Sequence, residues 1–454
     1  MRDRLISLAT DVGFFRLPLK LLFRVLVRLG VSWPVVLLFR RIIEEIKSPG
    51  DPQITILALT SDRFRQDLEL LSSTGRFRVL ALRFKWLGIM YSQFYPRGVE
   101  RRTVFRPYED ERFEHGQKQY RNFLRNFLPN LFKALRVDCV VNACVDYPQD
   151  YDWAAISHEI GTPAVTLHKE NLVVSSALQK RFVDWSSSLG KFHGTHLIVH
   201  NPLVQRAFCT SGYVAPANVE ALGCMRMDDY IDSIENHIVD REVPPLVTFF
   251  SFAPGVGLGL LFGGPQPFPA SREIGFFETF DMCHVVVAEL ASENPEVRFV
   301  IKPKWGGSWK TRIIETLTLA NFDLDELPNL TIEPDANSQR LILQSTVVCG
   351  YGSTVLLEAA IANKRVIIPF TKEMRAPAYK GNIMLEDEFD LFDIAEDRVA
   401  LKNLYLDCLK NPVVPDEVGL QRRAIFEKYV SSITSSATGT YCDRIEHLVQ
   451  EARP

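Results

Sequence analysis

The chain has 454 residues, of which 46% are hydrophobic and 24% are charged, and its formal net charge is −3. This composition is typical of a folded globular protein, and the length predicts two or three domains rather than one. The slightly acidic balance argues against a nucleic-acid-binding protein, which would carry a clear basic excess.

The eight cysteines are scattered, with no CxxC pair and no Cys/His cluster at metal-ligand spacing. They predict reduced core residues of a cytoplasmic protein and no zinc site. The N-terminus lacks the continuous apolar core and the small-residue cleavage site of a signal peptide. No run of about 18 apolar residues is present, so no membrane-spanning helix is predicted.

Residues 12–43 have the most unusual composition in the chain, because cations recur at four-residue spacing among Leu, Val and Phe, without an acidic residue. The cations are Arg16, Lys20, Arg24 and Arg28, followed by Arg40 and Arg41. The pattern predicts two basic amphipathic helices, separated at Gly30 and Pro34, that suit the surface of an anionic membrane. The alternative is a helical hairpin that packs on the protein's own core and leaves its cations in solvent.

From Ile54 onward, apolar strands alternate with helices, which predicts a parallel sheet. A charged, proline-bearing stretch at residues 228–245 is interpreted as an interdomain linker, and the alternation starts again at Leu246. The predicted fold is therefore α/β, with two Rossmann-like doubly wound domains facing a cleft. In such sheets the ligand lies beyond the carboxyl ends of the strands.

A cluster of polar residues follows the fourth predicted strand of the first half, at residues 168–171. Its position at a strand end makes Glu170 the first candidate for a general base and His168 the second, with Lys169 able to steady nearby charge. A structural salt bridge in a loop is the alternative. Asp146 and Asp152, beyond the third strand, are held in reserve.

In the second half, Lys302 and Lys304 flank a proline at another strand end. Both ammonium groups could hold a diphosphate as point charges, or they could simply be solvated. Ser251 occupies the first strand-to-helix turn of this half. No metal-ligand pattern accompanies these residues.

Residues 347–369 predict a strand, a tight turn, a helix and a second strand. Gly350 and Gly352 let the backbone of the turn adopt positive φ and approach a ligand closely. The alternative is an ordinary βαβ unit in which the glycines serve only the turn.

Three polar residues around the start of that helix predict a nucleotide site. Ser353 and Thr354 lie where the first N–H groups lack partners, so that a phosphate is stabilised there. Glu358 lies one turn beyond Thr354 on the same helix face, where its carboxylate can accept hydrogen bonds from ribose hydroxyls.

This segment resembles the donor-binding signature in the C-terminal domain of GT-B glycosyltransferases of the surface-polysaccharide type. The architecture is shared with UDP-N-acetylglucosamine 2-epimerases and CDP-glycerol glycerophosphotransferases. In that signature a Gly-Ser-Thr turn meets the nucleotide diphosphate and a Glu binds the ribose, which implies these roles for Gly352, Ser353, Thr354 and Glu358. The resemblance also implies that the Ser251 turn approaches the donor phosphates. Where those families often carry a histidine, this chain has Lys304, so no histidine role is transferred.

Four regions are predicted. The basic amphipathic pattern predicts residues 1–47 as membrane-associating helices. The resemblance implies an acceptor domain at residues 48–235, a nucleotide-sugar donor domain at 236–436, and a helix at 437–454 that packs back on the acceptor domain. The implied activity is a metal-independent glycosyl transfer, without a cofactor, from a nucleotide-sugar to a lipid-linked or surface-polysaccharide acceptor. The protein would be cytoplasmic and peripheral on the inner face of the plasma membrane, with a role in building the cell envelope.

Two alternatives to that activity remain open. The first keeps the fold and changes the chemistry to a CDP-polyol phosphotransferase or a nucleotide-sugar epimerase. The second is a non-catalytic, membrane-bound scaffold that binds a nucleotide without turnover.

Overall fold

A computed structural model describes residues 21, 23–95, 111–236, 244–258 and 271–453. Residues 12–20 and 22 of the predicted N-terminal helices and residues 237–243 of the predicted linker lie outside these ranges. The first part of that predicted linker, Asp228–Glu235, is a helix. The helices are α1 Ser32–Ile42, α2 Arg65–Ser73, α3 Phe84–Tyr91, α4 Glu111–Leu135, α5 Pro148–Glu159, α6 Ser176–Ser187, α7 Pro202–Thr210, α8 Asp228–Glu235, α9 Phe277–Glu293, α10 Ser308–Leu319, α11 Ser338–Gln344, α12 Val355–Ile361, α13 Arg398–Lys410, α14 Asp416–Tyr429 and α15 Ala437–Ala452.

The described chain divides into two compact units. The first runs to Glu170 and also contains Ser186–Arg226 and the C-terminal stretch from Ser436. The second contains Asn171–Trp185 and Met227–Ser435. Residues 171–185 therefore group with the second unit, although they lie between segments of the first.

The first unit contains a seven-stranded sheet in the order β1-β3-β2-β4-β5-β6-β7. All neighbours are parallel except the antiparallel pair of β1 and β3. The central strands are buried along their whole length, as expected when helices cover both faces of a parallel sheet. The strands are β1 Glu44–Ile46, β2 Ile54–Ala58, β3 Phe77–Ala81, β4 Cys139–Asn142, β5 Ala164–Leu167, β6 His196–Val199 and β7 Val219–Ala221.

The second unit contains an entirely parallel six-stranded sheet in the order β10-β9-β8-β11-β12-β13. Its strands are β8 Leu246–Phe250, β9 Arg298–Lys302, β10 Leu330–Ile332, β11 Val347–Gly350, β12 Arg365–Pro369 and β13 Asp393–Ala395. The predicted α/β class with two doubly wound sheets is confirmed.

One face of the N-terminal segment packs into the core of the first unit. Residues 23–28 are helical, and the helix ends at Gly30, where φ is 68° and the N–H of Val31 donates to the carbonyl of Leu26 over 3.1 Å. The chain then continues as α1. One side of this pair packs inward, as the hairpin alternative expected, through the buried side chains of Phe23, Val27, Val35, Val36 and Phe39.

The last helix, α15, also packs within the first unit. The hydroxyl of Tyr441 donates to the carbonyl of Gly223 over 3.0 Å, and Arg76 forms hydrogen bonds with both Asp443 and Glu446. Cys442 and Ile445 lie in the apolar cluster that covers one face of the sheet. Within the described residues, no helix is long and apolar enough to cross a membrane.

Candidate functional site

The second sheet reverses its strand order between β8 and β11, since β9 and β10 extend on one side and β12 and β13 on the other. Open α/β sheets bind ligands beyond the carboxyl ends of the strands at such a switch point. The loops that leave there are residues 251–257 after β8 and 351–354 after β11. These are the Ser251 turn and the glycine turn that the sequence predicted as parts of one site.

The two loops touch at Gly352. Its φ is 66°, and a Cβ added there would lie 2.6 Å from Cγ2 of Val256. Only glycine satisfies both the positive φ and this close approach without displacing the opposite loop. The glycine is therefore needed for the contact between the loops as well as for the turn itself.

The predicted order of strand, turn and helix is present, with Gly352 in the turn between β11 and α12. Helix α12 begins at Val355 and has seven residues, so the case for a phosphate site lies in the backbone of the two loops rather than in a long helix dipole. The hydroxyl of Thr354 donates to Oε1 of Glu358 over 2.9 Å, and the Glu358 side chain is only 4% exposed. Thr354 and Glu358 thus share one helix face, as the spacing predicted.

Ser251 is buried and its hydroxyl holds two helices against the strand end. The imidazole Nδ1 of His284 lies 2.6 Å from the carbonyl of Phe280, which can only accept, so Nδ1 carries the proton and Nε2 is an acceptor. Burial lowers the pKa of His284 to about 4, which keeps the ring neutral. The Ser251 hydroxyl therefore donates to Nε2 over 3.0 Å and accepts from Nε1 of Trp309 over 3.0 Å. The Ser251 hydroxyl is therefore used in two structural hydrogen bonds, and the phosphate contact of this turn stays a prediction for its backbone.

The two lysines at the end of β9 differ in environment. The Lys302 ammonium is buried and donates to the carbonyls of Pro303 at 3.0 Å and Pro334 at 2.7 Å, and burial lowers its pKa. Lys304 is exposed, with Nζ 5.0 Å from the centre of the Trp305 ring. Lys302 thus stabilises the loop in this conformation, and Lys304 is the cation that solvent can reach.

The first sheet has its own switch point between β2 and β4. Thr60 follows β2 with φ 49°, a left-handed conformation that costs free energy in a β-branched residue. Its hydroxyl donates to Oδ1 of Asp150 over 2.5 Å and accepts from Nε2 of Gln149 over 3.3 Å. The sequence analysis missed Asp150, because the only signal was its place in the loop and first helical turn after β4.

Asp150 should make stability fall with rising pH. Burial raises its pKa to about 8, whereas an unfolded aspartate ionises near pH ~4. Between these values the unfolded chain binds fewer protons, so the group's contribution to the free energy of unfolding falls as pH rises. Asp150→Asn removes the titrating group and with it this pH dependence. The free energy of unfolding of the variant, measured in urea and compared with wild type, should therefore rise by about 1–3 kcal/mol between pH 5 and pH 8. A difference independent of pH would contradict the assignment.

Asp146 and Asp152 lie in different surroundings. Oδ1 of Asp146 is buried and has no hydrogen-bond partner among the described residues, and an unpaired buried carboxylate oxygen is costly. Asp152 accepts hydrogen bonds from Tyr95 at 2.6 Å, Gln117 at 3.0 Å and Arg121 at 2.7 Å. Asp152 is therefore saturated by structural partners, and Asp146 keeps capacity for a ligand.

The structure separates the three residues predicted after β5. His168 is buried, with Nε2 3.1 Å from the carbonyl of Glu170 and Nδ1 3.4 Å from Sγ of Cys144, and burial lowers its pKa. Lys169 donates to the carbonyl of Arg63 over 3.0 Å and lies 3.4 Å from Oε1 of Glu170. The Glu170 side chain is 63% exposed. Glu170 is therefore the member of the cluster that solvent reaches, and His168 is held inside as a neutral ring.

A small recess of ≈ 20 Å³, with room for about one water molecule, lies next to the ends of β4 and β5 in the first unit. Its walls combine phenol and imidazole rings with amide and hydroxyl groups. The polar and aromatic lining residues are Asn142, Tyr147, Tyr151, Thr166, His193 and Tyr213. No group of three or more His, Cys, Asp or Glu suited to a metal ion occurs in the described part of the chain.

Comparisons with solved structures identify the architecture. A protein from Listeria monocytogenes, described as a UDP-N-acetylglucosamine 2-epimerase, matches at 10% identity over 88% of this chain and 98% of its own, with a TM-score of 0.50. MnaA from S. aureus, solved with UDP, matches at 9% identity over 88% and 97%, with a TM-score of 0.49. The UDP-GlcNAc 2-epimerase from Neisseria meningitidis matches at 10% identity over 87% and 99%, with a TM-score of 0.46. The chain has the GT-B fold.

The predicted resemblance to GT-B proteins is thereby confirmed at the level of fold. No protein-family model matches the chain, and no curated protein matches it by sequence. At identities of 9–10% the likeness carries the architecture and not the activity.

Proposed function

We propose that this protein is a glycosyltransferase that uses a nucleotide-sugar as donor and a lipid-linked or surface-polysaccharide acceptor. The observation that carries the donor site is the contact between the two loops at the switch point of the second sheet. There Gly352 adopts positive φ against Val256, and Ser353 and Thr354 follow it directly. This arrangement offers backbone N–H groups to a diphosphate where open α/β sheets bind ligands.

In the proposed reaction, the Glu170 carboxylate takes the proton of an acceptor hydroxyl, which attacks the anomeric carbon of the donor sugar. The bond from that carbon to the nucleotide diphosphate breaks, and the diphosphate leaves with the electron pair. Lys304 and the N–H groups of the glycine turn offset its charge, which makes a metal ion unnecessary. Lys302 holds the loop that carries Lys304, and Glu358 binds the ribose of the nucleotide.

The acceptor side of the proposal depends on Glu170. Its carboxylate is exposed and lies beyond the carboxyl end of β5, where an acceptor hydroxyl can approach it. The recess beside the ends of β4 and β5 is too small for a sugar ring and is not part of the proposed acceptor site.

A nucleotide-sugar epimerase is the second candidate, because the solved structures with this fold include proteins described by that activity. A CDP-polyol phosphotransferase would use the same donor turn. Both reactions are separated from glycosyl transfer by their products. A transferase incubated with a nucleotide-sugar releases the nucleoside diphosphate only when an acceptor is present. An epimerase converts the nucleotide-sugar into its isomer without an acceptor. A phosphotransferase releases a nucleoside monophosphate when it is given a CDP-polyol and an acceptor.

Nucleotide binding provides the direct test of the donor site. A panel of UDP, CDP, GDP and ADP, free and sugar-linked, should contain a ligand that raises the melting temperature of the intact protein. Glu358→Ala should weaken binding of that ligand by about 1–3 kcal/mol, because hydrogen bonds to a charged group are lost. Gly352→Ala should weaken it at least ~10-fold, since the new Cβ pushes the two loops apart.

Gly161→Ala is the matched control for Gly352→Ala. Gly161 also has positive φ, at 83°, but no atom lies within 4 Å of an added Cβ. It therefore carries the same backbone cost without touching the loops of the second sheet, and nucleotide affinity should stay at the wild-type value. If no nucleotide stabilises the wild-type protein, the proposed donor site is wrong.

A further inference from the structure

Exposed apolar side chains are concentrated at the start of the described chain. Among the residues that the structure describes, thirteen large hydrophobic side chains are exposed, and six of them lie between positions 21 and 37. They are Leu21, Val25, Leu29, Val31, Trp33 and Leu37. Single exposed apolar residues are common on protein surfaces, but a contiguous set of this size marks an interaction site.

Their spacing places them on the outward side of helices whose other side is in the core. Leu21, Val25 and Leu29 recur every four residues along the first helix, as do Trp33 and Leu37 in α1. Trp33 is 57% exposed and Leu29 is 69% exposed, whereas Phe23 and Phe39, in the same two helices, are fully buried. The outward residues are therefore held by a helix anchored on its inner face, and their exposure is a property of the fold.

The charged residues within this segment all have one sign. Arg24, Arg28, Arg40 and Arg41 are exposed, and no acidic residue occurs between positions 12 and 43. The first acidic residues beyond the segment are already paired, Glu44 with Arg83 at 2.6 Å and Glu45 with Arg78 at 2.6 Å. An anionic partner would thus meet cations that the flanking carboxylates do not neutralise.

We propose that this face docks the protein on the surface of an anionic lipid bilayer. The docking face comprises Leu21, Val25, Leu29, Trp33 and Leu37 together with Arg24, Arg28, Arg40 and Arg41. The apolar side chains enter the boundary between headgroups and acyl chains, the indole lies at the headgroup level, and the guanidinium groups extend to the lipid phosphates. Docking of this kind goes beyond the proposed reaction and does not depend on it.

A second copy of the chain fits the face less well. A twofold interface would bring the same patch of each copy together, and its four arginines would then face four like charges. A bilayer that contains anionic lipid supplies apolar depth and negative charge at once. Charge complementarity therefore favours the membrane over self-association.

Vesicle co-sedimentation of the full-length protein tests the proposal. Wild type should bind vesicles that contain phosphatidylglycerol and bind phosphatidylcholine vesicles weakly, and high salt should weaken the binding without abolishing it. The double variant Leu29→Gln/Trp33→Gln should partition at least ~10-fold less onto anionic vesicles. Arg40→Gln/Arg41→Gln should lose most of the preference for anionic lipid.

The matched control is Val399→Gln/Leu420→Gln, which removes two apolar side chains that are 68% and 70% exposed in the second unit. It should bind vesicles like wild type, and all variants should keep the wild-type melting temperature because their changed side chains are in solvent. The proposal fails if wild type does not bind anionic vesicles or if the control loses binding equally. It also fails if light scattering shows that the face instead mediates self-association that the Leu29/Trp33 variant abolishes.

Discussion

Glu170→Gln should lower the rate of sugar transfer by about 10²–10⁴-fold and leave nucleotide affinity unchanged. The substitution keeps the shape of the side chain and removes the proton acceptor. Glu170 lies three residues beyond Leu167, the carboxyl end of β5, and its side chain is 63% exposed, so an acceptor hydroxyl can reach it. The measurement is kcat for transfer, with nucleotide binding followed separately by thermal stabilisation.

Glu69→Gln is the control for this variant. Glu69 is also exposed, at 54%, and paired with a cation, Arg65, but it lies on α2 away from any strand end that forms the candidate site. Its transfer rate should match that of wild type. Equal losses in Glu69→Gln and Glu170→Gln would mean that surface charge and not a proton acceptor is responsible.

Asp146→Asn decides between the two candidate bases. Asp146 lies after β4 at the switch point of its sheet, and its buried Oδ1 has no hydrogen-bond partner within the described ranges. If Glu170→Gln turns over normally and Asp146→Asn does not, Asp146 is the base. If neither substitution changes the rate of a demonstrated transfer, neither carboxylate is the proton acceptor. A protein that binds a nucleotide but shows no turnover with any acceptor would be the non-catalytic scaffold.

Phe39→Ala should lower the free energy of unfolding by about 3–5 kcal/mol. The ring is fully buried, with ring centroids 5.2 Å from Phe127, 5.9 Å from Phe23 and 6.1 Å from Trp153. Its removal leaves a cavity that these large neighbours cannot fill without moving. Urea unfolding followed by tryptophan fluorescence is a suitable measurement, because Trp153 stacks on the deleted ring.

Leu37→Ala is the control within the same helix. Leu37 is 46% exposed, so the loss of its side chain should change the free energy of unfolding by less than about 1 kcal/mol. If Phe39→Ala were as mild as Leu37→Ala, the N-terminal segment would be an appendage and not a part of the core. For the same reason, deletion of residues 12–43 would not test membrane docking cleanly, since it also removes Phe23 and Phe39 from the core.

The sequence by itself determined the fold class and the position of the glycine turn after β11. Buried parallel strands need near-continuous apolar residues, so each can be recognised from its own short segment. The strands that begin at Ile54 and Leu246 are of this kind, and each starts a strand–helix alternation. Gly352 was predictable for a similar reason, because positive φ in a tight turn demands a residue type that the sequence displays directly.

Only the tertiary structure decided which polar groups are exposed to solvent. Lys302 and Lys304 are two residues apart, yet one is buried against carbonyls and the other is exposed. His168 and Glu170 differ in the same way. Burial depends on elements that are distant in the chain, such as the carbonyl of Pro334 that accepts a hydrogen bond from Lys302. The local spacing of residues cannot predict these contacts.

The N-terminal helices show the same division most clearly. Apart from the cations, apolar residues lie on nearly every side of these helices. The sequence pattern therefore predicts the helices but does not show which side packs against the core. The fold decides this by packing Phe23 and Phe39 against the aromatic cluster around Trp153, which leaves Leu29 and Trp33 outside. Sequence periodicity fixes the helix because it is local, whereas the choice of buried face depends on complementary shapes supplied by other segments.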